Sequence, residues 1–352
     1  MDSSRKHKLL IVDDSIVIRT FLKDLFENLS DFEIIGTAAN PYKARDIMRK
    51  NWPDIITLDV EMPRMNGIEF LRKIMRTRPT PVVMISTLTK ARAAITLEAL
   101  EIGAIDYFPK PEISTWKVLG NVKEEIVQKV RNAASSNIRK RGLVKENRTV
   151  INTVASATNI SKKLVVVGSS TGGVQALTSI FTRLPRNIPG IAVVQHMPAT
   201  FVESLAEQLR KKTVLDVKVA DDNEPITPGK IVIAPGNFHL EVIKRSGLFY
   251  TKLVEGEPVG FHRPAVNCLF DSASRVGSPE ILGIILTGMG EDGAMGLTQM
   301  KQKKCRTIGQ DKESSVVYGM PKRAFEMGAL EQQVPLSGIS QKIVEFGEDR
   351  LK

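Results

Sequence analysis

The sequence predicts an α/β protein made of two doubly wound domains, each with a mainly parallel sheet and helices on both faces. Apolar runs typical of buried strands alternate with helical patterns along the first third of the chain, and a second alternation begins near residue 164. Between them lies a stretch rich in Ser, Asn, Thr, Lys and Arg without a sustained apolar period, which is typical of a linker. We therefore expect domains at 7–125 and 163–348, joined by a linker at 126–162.

In the first domain, short apolar runs predict the strands, and apolar residues spaced by three or four predict the helices. The helix after the first strand, for example, places Val17, Phe21 and Leu25 on one face. The strands are expected at 8–12, 32–38, 54–58, 81–85 and 107–109, and the helices at 17–26, 41–50, 67–76 and 92–102.

The second domain opens on Leu164-Val-Val-Val167, where every residue is apolar, as in a parallel strand that is buried on both faces. The later strands are expected to alternate with helices in the same manner. Strands are predicted at 164–168, 191–195, 230–234, 240–243, 248–252 and 281–286, and helices at 174–183, 199–210, 264–276 and 292–301.

Composition and charge leave the partner open. Apolar residues make up 42% and charged residues 25% of the chain, which is ordinary for a globular protein. The formal net charge of +11 would suit nucleic acid, an anionic membrane or an acidic protein surface. Most of the Lys and Arg residues are scattered, however, as they are on a solvated surface. Charge alone therefore does not select a partner.

The expected location is the cytoplasm, without membrane insertion. No apolar run approaches the roughly 18 residues that a membrane helix needs. The N-terminus lacks the apolar core and the cleavage site of a secretory signal. The two cysteines, Cys268 and Cys305, form no CxxC pair, which suits a reducing compartment.

Acidic side chains follow two of the predicted strands in the first domain. Asp13 and Asp14 follow the first strand, and Asp59 follows the third. Because the carboxyl ends of parallel strands meet at one edge of a sheet, these carboxylates should crowd together, and Mg²⁺ would offset their repulsion. Ser86 and Lys110 stand at two further strand ends and would suit a phosphoryl oxygen. Each acid alone is more often a loop carboxylate or a helix N-cap. Three acids, a hydroxyl and an ammonium that all stand at strand ends favour a binding site.

These side chains lie in motifs that resemble the receiver domain of two-component response regulators, over roughly residues 7–125. The resemblance implies a flavodoxin-like (CheY-like) fold in which Asp59 accepts a phosphoryl group from a chemotaxis histidine kinase. Ser86 would be the switch hydroxyl, and Lys110 would bind the phosphoryl oxygen. The resemblance further implies a Mg²⁺ site formed by Asp13, Asp14, Asp59 and the backbone carbonyl of Glu61. The matching motifs are Leu10-Ile-Val-Asp-Asp-Ser15, Leu58-Asp-Val-Glu-Met-Pro-Arg-Met-Asn-Gly67, Ser86 and Lys110-Pro111.

A serine among glycines follows the first strand of the second domain. The spacing Gly168-x-Ser170-x-Gly172 suits the sharp turn of a nucleophilic serine, because small neighbours let the backbone fold tightly beneath the side chain. The helix that follows directs free N–H groups toward a developing oxyanion. The alternative is a nucleotide-binding turn, although the segment is not GxGxxG.

A serine nucleophile needs a base, and histidine suits that role. Position favours His196, because it directly follows the strand at 191–195 and should lie at the same sheet edge as Ser170. A hydrogen-bonded core residue is the alternative for this histidine. The remaining histidines lie in the N-terminal tail, between apolar residues and in a loop, at His7, His239 and His262 respectively.

The acid that orients the base is expected in Thr287-Gly-Met-Gly-Glu-Asp-Gly293, a glycine-rich turn after the strand at 281–286. Asp292 and its neighbour Glu291 both stand there, and the flanking glycines do not decide between them. A helix cap is the alternative role for Asp292. The chain order Ser, His, Asp differs from that of α/β-hydrolases, but triads are recognised by geometry rather than by order.

The second domain resembles the catalytic domain of chemotaxis protein-glutamate methylesterases, the CheB family, over about residues 163–345. The resemblance implies a Rossmann-like fold with Ser170 as nucleophile, His196 as base and Asp292 as orienting acid. The matching segments are Val167-Gly-Ser-Ser-Thr-Gly-Gly173, Val194-Gln-His-Met-Pro198, Ile233-Ala-Pro-Gly-Asn-Phe-His-Leu240, Leu286-Thr-Gly-Met-Gly-Glu-Asp-Gly293 and 310–321.

The same resemblance implies an oxyanion site. Met289 would contribute a backbone N–H, and Thr171 would support the site. The chain departs from the family pattern at four positions, which weakens the substrate-contact assignments nearby. These positions are Ala265, Asn267, Glu291 and Lys312.

Together the resemblances imply a phosphorylation-activated protein-glutamate methylesterase and protein-glutamine glutaminase. Ser170 would attack the γ-methyl ester of a glutamate on a methyl-accepting chemoreceptor and form an acyl-enzyme, at a site that needs no metal. The unphosphorylated receiver would pack against the catalytic domain, and phosphorylation of Asp59 would loosen this intramolecular interface. No nucleic-acid partner is expected. The alternative is a response regulator with a DNA-binding or non-catalytic output domain, which the positive charge would suit.

Overall fold

Short apolar strands alternate with helices through both halves of the protein, and the predicted α/β fold class with mainly parallel sheets is confirmed. The structure, a computed structural model, describes residues 5–87, 89–110, 120–136, 151 and 160–351. The chain divides into two compact units, Met1–Val144 and Lys145–Lys352.

The first unit contains one sheet of five strands. Its elements are β1 (His7–Val12), α1 (Ile16–Glu27), β2 (Phe32–Ala38), α2 (Pro41–Lys50), β3 (Ile55–Asp59), α3 (Gly67–Thr77), β4 (Val82–Ser86), α4 (Lys90–Ile102), β5 (Asp106–Pro109) and α5 (Gly120–Ala134). The strand order is β2-β1-β3-β4-β5, and every neighbouring pair is parallel. The carboxyl ends of β1, β3, β4 and β5 therefore meet at one edge, where the predicted acidic cluster stands.

Local side chains explain where two of these helices begin. The Oδ1 atom of Asn40 accepts the N–H of Lys43 at 3.0 Å, and Pro41 fills the first helical position, where a missing N–H costs nothing. The Oδ1 atom of Asn66 accepts the N–H of Glu69 at 2.8 Å in the same way. These caps end the loops after β2 and β3.

Helix α5 reaches Ala134, so it extends into the stretch predicted as a linker at 126–162. Residues 137–150 and 152–159 of that stretch lie outside the described residues, as does Pro111 of the Lys110-Pro111 motif. The boundaries 7–125 and 163–348 remain predictions.

The second unit contains a sheet of seven strands and a separate hairpin. Its elements are β6 (Leu164–Ser169), α6 (Gly173–Phe181), β7 (Gly190–Gln195), α7 (Ala199–Lys212), β8 (Asp216–Val219), β9 (Lys230–Ile233), β10 (His239–Arg245), β11 (Leu248–Val254), α8 (Val266–Val276), β12 (Ile281–Ile285), α9 (Ala294–Gln302), β13 (Arg306–Gln310), α10 (Met320–Glu326), β14 (Gln332–Val334) and α11 (Leu336–Gly347). The main sheet is parallel throughout, in the order β14-β13-β12-β6-β7-β9-β8, and β10 pairs with β11 antiparallel.

Strands β12, β6 and β7 lie side by side at the centre of the second sheet. Every residue of these three strands is buried, as expected for parallel strands that are covered on both faces. Their carboxyl ends lead directly into the turns that carry Ser170, His196 and Asp292. The topology thus brings three distant parts of the sequence to one edge.

Five elements of the second unit were missing from the prediction, namely β8, β13, β14, α10 and α11. Strand β13 reads Arg306-Thr-Ile-Gly-Gln310 and has no apolar run to indicate a strand. Its Thr307 can be buried because the hydroxyl donates to the Ala329 carbonyl at 2.7 Å. Two helices of this unit begin two residues later than predicted: α8 at Val266 rather than 264, and α9 at Ala294 rather than 292.

Candidate active site and phosphorylation site

The turn after β6 is shaped by its glycines. Gly172, the residue before α6, has φ 77°, and a Cβ there would lie 2.6 Å from Cβ of Val316. Only glycine therefore fits this position without strain. The amide of Ser170 donates to the Thr287 carbonyl at 3.1 Å, and the Ser170 carbonyl accepts the amide of Gly173 at 2.7 Å. Ser170 is half-buried, and no hydrogen bond within the described residues uses its hydroxyl.

Gln195, the last residue of β7, joins the nucleophile turn to the histidine turn. Its Nε2 group donates to the carbonyls of Ser170 and His196, at 3.0 Å and 3.1 Å. Its Oε1 atom accepts the hydroxyl of Ser169 at 2.7 Å. Its side chain is buried. The sequence reasoning missed Gln195, whose signal is an amide side chain at a buried strand end next to the candidate base.

His196 and Asp292 form a buried pair. Nε2 of His196 lies 2.8 Å from Oδ2 of Asp292, and the two side chains are 7% and 6% exposed. The same carboxylate accepts the amides of Val266 and Asn267, at 2.7 Å and 2.8 Å. Burial alone would raise the pKa of Asp292, but these hydrogen bonds, His196 foremost, outweigh it and lower the pKa below its ordinary value. Asp292 is therefore a carboxylate at neutral pH.

The pairing fixes the roles of the two ring nitrogens of His196. A carboxylate only accepts, so Nε2 carries the proton and Nδ1 is left as the acceptor. Nδ1 is buried and has no hydrogen-bond partner among the residues that the structure describes. The His196 amide donates to the Ser169 carbonyl at 3.1 Å, so the backbone of His196 lies next to the Ser170 turn. No hydrogen bond joins the Ser170 hydroxyl to Nδ1 within the described residues, and catalytic hydrogen bonds often form only once substrate is bound.

The turn after β12 lies against the nucleophile. A Cβ on Gly288 would be 2.8 Å from Cβ of Ser170, so glycine permits the approach. The next residue, Met289, is half-buried, and its amide makes no hydrogen bond within the described ranges. Thr171 is buried, and its carbonyl accepts the hydroxyl of Thr287 at 2.9 Å. A free amide close to the nucleophile suits an oxyanion.

The structure separates the two acids between which the sequence did not decide. Glu291 points outward, with its side chain 75% exposed and paired with Arg323 at 3.2 Å. Asp292 points inward to His196. The sequence reasoning also missed what His262 contacts: its ring stacks on that of His196, with centroids 3.7 Å apart and planes 15° apart. No pattern in the sequence signals this contact, because it depends on the shape of a loop.

The first unit gathers its candidate residues at the edge formed by β1, β3 and β5. Nζ of Lys110 lies 2.7 Å from Oδ2 of Asp59 and 3.4 Å from Oδ2 of Asp13. Burial, followed by repulsion from Asp13, raises the pKa of Asp59 to about 7. Ser86, at the end of β4, accepts a hydrogen bond from Thr96 at 2.9 Å.

This edge fits a divalent cation. Carboxylate oxygens of Asp13, Asp14 and Asp59 lie within 4.8 Å of one another. Oδ2 of Asp13 is buried and faces the Lys110 ammonium at 3.4 Å, and it makes no hydrogen bond within the described residues, so it can still accept a metal ion. Hard oxygen donors are the ligands that Mg²⁺ prefers. The amide of Glu61 donates to Asp59 at 3.3 Å, which brings the backbone of Glu61 to the same place.

Within the described residues, no helix is both long and apolar enough to cross a membrane.

Comparisons with known proteins divide the chain as the folds do. A family model described as CheB methylesterase matches residues 165–343, and one described as response regulator receiver domain matches residues 9–116. The crystal structure of the Thermotoga maritima CheB methylesterase catalytic domain is similar to this chain, with 41% sequence identity and a TM-score of 0.51. The similarity covers 52% of this chain and 97% of that one.

Two curated relatives match along almost their whole length. One from Sulfurimonas denitrificans, named protein-glutamate methylesterase/protein-glutamine glutaminase, is 44% identical over 349 residues, which cover 97% of this chain and 99% of the relative. Another with the same activities in its name, from Caulobacter vibrioides, is 44% identical over 350 residues, which cover 98% and 99%.

Proposed function

This chain belongs to the CheB methylesterase family, and we propose that Ser170, His196 and Asp292 carry out its hydrolysis. The protein is a protein-glutamate methylesterase and protein-glutamine glutaminase with a response regulator receiver domain. Its substrates are chemoreceptors, and the bond cleaved is a glutamate γ-methyl ester or a glutamine side-chain amide. The observation that carries the assignment is the buried His196–Asp292 pair beside the Ser170 turn.

In the acylation step, Oγ of Ser170 attacks the ester carbonyl carbon while Nδ1 of His196 takes the hydroxyl proton. Asp292 stabilises the imidazolium that forms, through the hydrogen bond at Nε2. The tetrahedral intermediate collapses, the proton passes from Nδ1 to the departing methoxide, and methanol leaves. With glutamine, the same proton goes to the leaving amine, and ammonia departs.

Water then attacks the acyl-enzyme, His196 takes its proton, and the proton returns to Ser170 as free glutamate is released. The amide of Met289, supported by the Thr171 turn, donates to the oxyanion in both steps. Losing one such donor costs about 3 kcal/mol of transition-state stabilisation. The amide of Ser170 is not available for this role, because it donates to the Thr287 carbonyl.

In the receiver, Asp59 is the phosphoryl acceptor, and a chemotaxis histidine kinase is the donor. Bound Mg²⁺, held by Asp13, Asp14, Asp59 and the backbone carbonyl of Glu61, would shield the negative charge of the carboxylates and the phosphoryl group. Lys110, now paired with Asp59, turns its ammonium to a phosphoryl oxygen. The hydroxyl of Ser86 donates to another phosphoryl oxygen, and this contact pulls the end of β4 toward the phosphoryl group.

Phosphorylation of Asp59 raises the esterase activity. The protein acts in the cytoplasm, a reducing compartment that suits its two unpaired cysteines. A DNA-binding output is not favoured, because the second unit matches a catalytic family.

The test is the release of methanol from methylated receptors and of ammonia from receptor glutamines, by wild type and by His196→Gln. The proposal predicts that both products disappear together in the variant, because both reactions pass through one acyl-enzyme. If His196→Gln released either methanol or ammonia at the wild-type rate, His196 would not be the base for both reactions.

A further inference from the structure

We propose that His262 is a positioning residue for the catalytic base, because its ring holds the plane of the His196 imidazole. The proposal deepens the function proposed above and rests on it. The two rings are stacked, with centroids 3.7 Å apart and planes 15° apart. Within the described residues, no other aromatic ring stacks on His196.

A stack is needed because one hydrogen bond does not fix a ring. The bond from Nε2 to Asp292, 2.8 Å long, holds one atom of His196 but allows the ring to swing about that point. Such a swing would move Nδ1 away from Ser170. A flat ring against its face removes this freedom, so that the bond and the stack together aim Nδ1.

A tight turn delivers His262 to this place. Val259 and His262 exchange two backbone hydrogen bonds, at 3.0 Å and 3.1 Å. The two residues between them have positive φ, 58° for Gly260 and 70° for Phe261, as in a type I′ turn. The turn leaves Phe261 91% exposed while His262 reaches the catalytic ring. The backbone of Phe261 is strained although its side chain packs against almost nothing. This indicates that the turn serves to position His262.

His239 fastens both ends of the loop. Its buried imidazole donates from Nε2 to the Glu257 carbonyl at 3.0 Å and accepts the Ala265 amide at Nδ1, at 3.2 Å. Because one nitrogen donates and the other accepts, the ring is neutral in this arrangement. The histidines of the second unit thus act in sequence. His239 fixes the two ends of the loop, and His262, carried by the loop, stacks on His196.

The stack also suits the chemistry of the base. When His196 takes the proton of Ser170, its cationic ring lies against the face of the stacked His262 ring, and an aromatic face suits a flat cation. The benefit needs a flat π system rather than an imidazole as such. Phenylalanine should therefore replace His262, whereas an aliphatic side chain of similar size should not.

The experiment measures kcat and KM for methanol release by the full-length protein carrying His262→Ala, His262→Leu or His262→Phe. Ala and Leu should lower kcat by about 3- to 10-fold with little change in KM, and Phe should restore it to within about twofold. Phe261→Ala, in the same turn with its side chain in solvent, is the matched control and should keep the wild-type kcat. Thermal unfolding of each variant shows that the fold is intact.

Wild-type kcat in His262→Leu, or a loss in His262→Phe equal to that in His262→Leu, would overturn the proposal. His262→Leu fills the site, so it answers the question even where His262→Ala unfolds. Ser170→Ala in the same assay separates the two proposals. If it is inactive while His262→Leu is normal, only the stacking role fails; if it is fully active, the proposed function itself fails.

Discussion

Asp292 binds the catalytic histidine and the start of helix α8 with one carboxylate: its Oδ2 atom lies 2.8 Å from Nε2 of His196 and 2.7 Å from the amide of Val266. The second oxygen accepts the amide of Asn267 at 2.8 Å. Because α8 is packed into the core, its end is a fixed support. The base is therefore oriented by the fold and not only by its own side-chain preferences.

Asp292→Asn should lower kcat by roughly 10³- to 10⁴-fold, because an amide at this position can donate to the ring and favour the wrong tautomer. Methanol release measures the loss. Glu291→Gln is the matched control, since Glu291 is the neighbouring acid and faces solvent. It should retain near wild-type kcat. An equal loss in both variants would leave the orienting role without support.

The stability conferred by Asp292 should depend on pH in a defined sense. The folded-state pKa lies below the ordinary value of 3.8, so the contribution is fully present above 3.8 and is lost as pH falls through the folded value. Urea unfolding should show Asp292→Asn less stable than wild type at about pH 5, by an amount that shrinks as the pH falls below 3.8. A difference that does not shrink in that acid range would contradict the lowered pKa.

Gln195→Ala should weaken both activity and stability, because it removes the shared donor of the Ser170 and His196 carbonyls. We expect the free energy of unfolding to fall by about 2–4 kcal/mol as buried groups lose their partner. Displacement of the two turns should lower kcat by about 10- to 100-fold.

Urea unfolding and methanol release measure these two effects. The exposed Gln302, changed to alanine, is the control and should alter neither. If Gln195→Ala is destabilised but keeps the wild-type kcat, Gln195 contributes to stability only and does not position the catalytic turns.

Removal of divalent cations should separate the two sites. With acetyl phosphate as a small phosphodonor, Mg²⁺ should support stimulation of methanol release in wild type, and a chelator should abolish it. The basal rate should not change, because no group of the esterase mechanism uses a metal. Asp59→Asn should show the basal rate in every condition. Stimulation that persists in Asp59→Asn would contradict the assignment of the phosphoryl acceptor.

The sequence predicted the strands that position both sites, because parallel strands buried on two faces read as uninterrupted apolar runs, such as Leu164 to Val167. It did not predict β13, whose buried Thr307 and Gln310 are polar and depend on hydrogen bonds with partners elsewhere in the chain. Burial of a polar side chain is decided by tertiary contacts, which periodicity does not carry.

The same limit applies to the candidate site. The order of strands and turns indicated Ser170 and His196, because a strand end is a local feature. The choice between Glu291 and Asp292 depends on which side chain turns inward, and the stacking of His262 depends on the path of a loop. Both follow from backbone geometry that is set by packing.

The central claim is that Ser170 is the nucleophile, and methanol release by Ser170→Ala compared with Ser169→Ala tests it most directly. Ser169 is adjacent in sequence but buried against Gln195, so its variant should keep a readily measured rate. Ser170→Ala should lose activity by at least about 10⁴-fold while remaining folded. A Ser170→Ala enzyme that releases methanol as fast as Ser169→Ala would contradict the account.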